Sequence, residues 1–164
     1  MQNRSKFAGM INKIRHIRVP EESFFLFGPR GTGKSTFVKT LIDDDVLYID
    51  FLDPETFRTY SAFPETLEKS VAALNPVMVI VDEVQKVPSV LDVVHKLMEE
   101  RKIRFILTGS SARKLKMGGA DMLGGRALRC IMHPFIAEEL GAEFSLEESL
   151  RTGLIPVVER SKDP

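Results

Sequence analysis

Cysteine is nearly absent from this 164-residue chain, and tryptophan is missing altogether. The single thiol, Cys130, excludes an internal disulfide, which fits a reducing compartment. Neither sign of charge is in excess: Lys plus Arg and Asp plus Glu both total 23. Bulk charge therefore selects neither nucleic acid nor an anionic membrane surface, and charge has to be read locally. Long apolar runs are also lacking. The longest, around Val77–Val81, falls far short of the roughly 20 residues a membrane-spanning helix needs. The N-terminus has no unbroken apolar stretch of the kind a secretion signal carries. His16, His95 and His133 stand far apart, and Cys130 sits in an apolar segment, so no transition-metal spacing is present. These absences predict a cytoplasmic protein with no membrane partner, of a length that suits one domain.

What the chain does have is alternation. Ser23–Phe27, Val46–Phe51, Val77–Val81, Arg104–Thr108 and Ala127–Met132 read as short apolar strands. Lys34–Ile42, Pro64–Leu74 and Ser89–Arg101 read as helices between them. In the last of these, Val90, Leu91, Val94, Leu97 and Met98 share one face, with Asp92, Lys96 and Glu99 opposite. Val77–Val81 is continuously apolar, as expected of a strand covered on both sides. Strands alternating with helices imply an α/β fold, a mainly parallel sheet between two helical layers.

The ends are less regular. Arg4, Lys6, Lys13, Arg15 and Arg18 are unopposed by acids, while Phe7, Met10, Ile11, Ile14 and Ile17 recur at helical spacing. A basic amphipathic helix over residues 1–22 follows, either docked with its charges in water or offered to nucleic acid. The core is expected over residues 23–143. Residues 144–164 leave room for a last helix, capped by Ser145 with Glu148, and a tail.

The chemistry concentrates in one stretch. Gly28-Pro29-Arg30-Gly31-Thr32-Gly33-Lys34-Ser35 fits the pattern G-x-x-x-x-G-K-[ST], with Thr36 next. Glycines allow backbone conformations that turn several N–H groups towards one anion. The helix beginning near Lys34 adds its positive end. Lys34 is placed to reach the β- and γ-phosphates of a nucleotide, and Ser35 to put its hydroxyl on Mg²⁺. Strand before and helix after supply the required context.

A second stretch, Val77–Gln85, ends its apolar run on Asp82 and Glu83. Open α/β sheets bind ligands at such C-terminal strand ends. Asp82 suits Mg²⁺, which keeps several waters and needs few carboxylates. Glu83 suits a base that polarises water for in-line attack on the γ-phosphate. The fourth strand runs into Thr108, Ser110 and Ser111. One of these hydroxyls is placed to contact the γ-phosphate or the attacking water. Counting leaves the choice open; Thr108 suits ligand binding and Ser110 catalysis. Arg126, just before the fifth strand, is either a surface arginine or one that reaches a nucleotide held by a neighbouring subunit, and the second reading requires a homo-oligomer.

In this order, "GPRGTGKST", "VMVIVDEVQKVPSVLDVVHKLMEE", "FILTGSSARKL", "GGRALRCIMHPFIAEEL" and "RTGLIPVVE" resemble the prokaryotic AAA+-like P-loop ATPase family AAA_14. Longer members of that family carry a C-terminal DUF4143 domain. The resemblance implies a P-loop sheet of order 5-1-4-3-2, with ATP and Mg²⁺ as cofactors. It matches Lys34 and Ser35 to Walker A, Asp82 and Glu83 to Walker B, Thr108–Ser111 to the sensor segment, and Arg126 to the family's Gly-Arg. It also implies a helical lid beyond this chain's last residue, Pro164, so a shortened core with weak turnover is expected. Three functions fit: an ATPase core, a nucleotide-holding module without turnover, and a small-molecule kinase. Glu83 and the lack of an Arg-rich lid argue against the kinase.

Overall fold

The segment Phe24–Phe27 consists of Phe, Phe, Leu and Phe, and all four side chains are buried. A strand this apolar cannot face water on either side, so it belongs inside a covered sheet. The computed structural model, which describes residues 15–110, 115 and 123–156, puts it there as β1. The other strands are β2 (Val46–Asp50), β3 (Met78–Asp82), β4 (Arg104–Gly109) and β5 (Leu128–Ile131). They form one sheet of order β2-β3-β4-β1-β5, and every pairing is parallel. This is the order 5-1-4-3-2, and the architecture is that of a P-loop NTPase.

The helices are α1 (Lys34–Lys39), α2 (Pro54–Ala62), α3 (Thr66–Leu74), α4 (Val90–Arg101), α5 (Ala137–Leu140) and α6 (Leu146–Thr152). Alternate strand residues feed two separate cores. Phe25, Phe27, Val79, Val81, Phe105 and Leu107 pack with Tyr60 of α2, Leu67 and Val71 of α3, and the apolar face of α4. Phe24, Leu26, Met78, Ile80 and Ile106 pack with Val38 of α1. Each fully buried side chain of this kind contributes about 1.5–3 kcal/mol relative to an exposed one.

Strand ends fall within about two residues of those predicted, the usual uncertainty of element boundaries. Three differences matter more. Helix α2 was not expected. Its start is nonetheless written in the sequence: Asp53 Oδ2 accepts from the Thr56 N–H at 2.7 Å, and Pro54 occupies the first turn. Helix α1 is shorter than Lys34–Ile42. The third difference concerns the basic helix over residues 1–22. Residues 1–14 lie outside the described residues, and residues 15–20 carry no helix. Pro20 disfavours a helical Val19, and Ile17 and Val19 instead pack against the second core. Among the described residues no helix is long and apolar enough to cross a membrane.

Candidate functional site

Because every strand runs the same way, the ends of β1, β3 and β4 meet at one edge of the sheet. The loop after β1 is built around special backbone positions. Gly31 and Gly33 have φ of 82° and 89°, the left-handed region that favours glycine. Gly28 serves packing instead: a Cβ there would overlap the Met132 carbonyl oxygen just past β5. Thr32 is buried, and its hydroxyl donates to the Pro29 carbonyl at 2.9 Å. The Lys34 ammonium donates to the carbonyls of Gly28, at 2.8 Å, and Pro29, at 3.1 Å. Burial lowers the Lys34 pKa, while the carboxylates of Glu83 and Asp82 pull it back up. Cation and acids therefore sense one another, although Lys34 opens the helix after β1 and the acids end β3.

Asp82 is fully buried at the end of β3. The Thr108 hydroxyl donates to its Oδ1, and the Tyr48 hydroxyl, from β2, donates to its Oδ2 at 2.9 Å. Burial and the neighbouring Asp82 raise the Tyr48 pKa, so the phenol stays protonated and remains a donor. Thr108 Oγ1 also accepts from the Glu83 N–H at 2.9 Å. That contact holds Glu83 in a left-handed conformation, φ 59°, which costs a non-glycine residue of order 1–3 kcal/mol. The Glu83 carboxylate accepts from Gln85 Nε2. Two polar atoms, Gln85 Oε1 and Ser110 Oγ, are buried with no hydrogen-bond partner among the described residues.

These parts border a cleft of about 560 Å³. It brings together Arg30, Gly31, Gly33, Lys34, Ser35 and Thr36 from the loop and α1, and Glu83 from β3's end. Gly28, Pro29 and Thr32 do not line it but shape the loop behind it. Asp82 and Thr108 are buried and do not line it, nor does Ser110, whose Oγ is buried. The Thr108 hydroxyl is occupied by Asp82 and the Glu83 amide. Ser111 lies outside the described residues. Arg126 is not brought to this cleft. It precedes β5, at the opposite edge of the parallel sheet, and its guanidinium pairs with Glu99 of α4. A role for it at a nucleotide would take a second copy of the chain.

Sequence reasoning missed Tyr48, Gln85, Lys86, Leu52 and Pro156, of which the last four also line the cleft. Gln85, two residues beyond Glu83 on the same turn, was the most readable of them. Among the described residues the lining carries three cations, Arg30, Lys34 and Lys86, against one carboxylate, Glu83. That balance suits a polyanion.

The residues fit a magnesium nucleotide on several counts. The volume is that of a small-molecule site. Asp82 receives two donors here, while a carboxylate has about four acceptor positions. Among the described residues no three His, Cys, Asp or Glu side chains cluster. A cation here would therefore rely on a carboxylate, a hydroxyl and ligand oxygens, the manner of Mg²⁺.

A family model described as AAA domain, AAA_14, matches residues 20–141, more than half of the chain. The chain belongs to the AAA domain family. A comparison with curated proteins gave no match. The matched span begins just before β1 and ends just after α5, so it contains the glycine loop, both acids and Arg126. AAA membership points to a nucleotide-binding, ATPase-like function.

Proposed function

We propose that residues 23–143 form an ATPase core that hydrolyses ATP to ADP and phosphate with Mg²⁺. The observation that supports this most is the single cleft lined by Lys34, Ser35 and Glu83. In this reading Lys34 exchanges the Gly28 and Pro29 carbonyls for phosphate oxygens. The amides of the Gly28–Gly33 loop and the start of α1 bind the rest of the phosphate chain. Bound Mg²⁺, held by Ser35 and by Asp82, would neutralise charge on the β- and γ-phosphates. Tyr48 and Thr108 hold Asp82 in place for that task.

Glu83 accepts the proton of the attacking water. To do so its carboxylate must leave Gln85 or share it. Of the hydroxyls after β4, Ser110 is the better contact for the γ-phosphate or the water, because its Oγ has no partner among the described residues. Thr108 acts from behind, as the support of Asp82 and Glu83.

The test is phosphate release with Mg²⁺ for the full chain and for Glu83→Gln. A positioned general base is worth about 100-fold or more, so release is expected to fall by at least that factor while ATP affinity stays the same. Binding without release in both proteins would make this a nucleotide-holding module. Label transferred to a metabolite would make it a kinase.

A further inference from the structure

Arg15 is one of the basic residues that precede β1, yet it is not on a solvated face. Its side chain is only 9% exposed, and its partner Glu139 only 5%. Nε donates to Glu139 Oε1 at 3.0 Å, Nη1 to the Thr32 carbonyl at 2.9 Å, and Nη2 to the His133 carbonyl at 2.6 Å. The guanidinium also lies over the Phe135 ring, 4.6 Å from its centroid. Glu139 is itself held, accepting from the His16 N–H at 2.8 Å and the Ile136 N–H at 3.2 Å. A buried guanidinium with this many fixed partners has one geometry, and lysine cannot reproduce its fork.

The contact with Thr32 is the informative one, because it falls inside the glycine loop. In a trans peptide the carbonyl of one residue and the N–H of the next point in opposite directions. Holding the Thr32 carbonyl therefore fixes the direction of the Gly33 N–H. Gly33 lines the cleft while Arg15 does not. We propose that Arg15 is a positioning residue that aims the Gly33 amide at a phosphate group of the bound ligand. It does this by anchoring the loop to the segment after β5. The inference rests on the nucleotide reading of the cleft. It removes Arg15 from the basic face that the N-terminal stretch was expected to offer to nucleic acid.

The test measures Mg·ADP affinity of the full chain by calorimetry, with Arg15→Ala and Glu139→Gln beside the wild type. An aimed amide-to-phosphate hydrogen bond is worth about tenfold in affinity. Arg15→Ala is expected to weaken binding by about that factor. Glu139→Gln loses the ion pair, but its Oε1 can still accept from Arg15 Nε and the Thr32 contact is kept, so it should weaken binding clearly less than Arg15→Ala. With ATP, KM should rise in Arg15→Ala and kcat should hold. The amide resonance of Gly33 should move on adding pyrophosphate in the wild type and not in Arg15→Ala. If Arg15→Ala does not fold, Arg15→Lys keeps the charge without the fork and should show the same weakening. Arg15 variants that bind like the wild type overturn the inference, as does equal weakening in Glu139→Gln, which would mean general loosening. A wild type that binds no Mg·ADP is a different failure: it removes the nucleotide reading itself.

Discussion

The Asp82 carboxyl is fully buried, and two hydroxyls make that tolerable. Tyr48 serves Oδ2, and Thr108 serves Oδ1 while also receiving the Glu83 amide. Leaving one oxygen of a buried carboxyl without its donor costs about 1–3 kcal/mol. Tyr48→Phe is expected to lose that much in urea unfolding. Thr108→Val is expected to lose more, because it strips a donor from Asp82 and an acceptor from the strained Glu83 turn. Thr108→Ser should stay close to wild type. Equal stability of Thr108→Val and Thr108→Ser would show that the hydroxyl does not hold this turn. The same contacts explain what was readable beforehand. Lys34, Ser35, Asp82 and Glu83 declare themselves because each motif is local. Tyr48 and Arg15 do not, since their partners lie 34 and 124 residues away. Nothing near a tyrosine on an edge strand, or an arginine in a basic stretch, marks such a partner.

Helix α2 shows the same limit one level up. Its apolar pattern is thin, with Tyr60 its one buried residue, so a search for helical periodicity passes over it. Its start signal is strong. The Thr56 N–H, bonded to the Asp53 carboxylate, holds that group's pKa below the ordinary aspartate value of 3.8. For an acid with a depressed folded pKa, the stabilisation is complete above the unfolded value. It is lost as pH falls through the folded one. Asp53→Ala should therefore melt below wild type at pH 7, with the gap closing as pH drops through and below 3.8. Asp53→Asn, which caps without ionising, should track wild type at neutral pH. A gap between Asp53→Ala and wild type that is constant from pH 7 to pH 2 would mean that the cap's ionised form contributes nothing.

At the scale of the molecule, strand order does the assembling. The loop follows β1 and the acids end β3, with β4 between them. Because β1, β4 and β3 run in the same direction, those ends lie at one edge. The α/β class could be read from apolar runs alternating with helical segments. The order of the strands could not; it came with the family resemblance, because pattern alone does not say which strand lies beside which. The consequence is thermodynamic. A ligand bridging the loop and the β3 end binds only the folded chain, so it must stabilise the whole. At 100 times its Kd, Mg·ADP adds about 2.7 kcal/mol, which for a domain of this size raises Tm by about 5–11 °C. Lys34→Ala should lose most of that shift. Comparing shifts with and without ligand cancels any change in the unliganded protein. With EDTA in place of Mg²⁺, the contribution proposed for Ser35 and Asp82 is removed, and the wild-type shift for ADP should shrink. A Lys34→Ala protein that gains as much from Mg·ADP as the wild type would place the ligand somewhere other than this edge of the sheet.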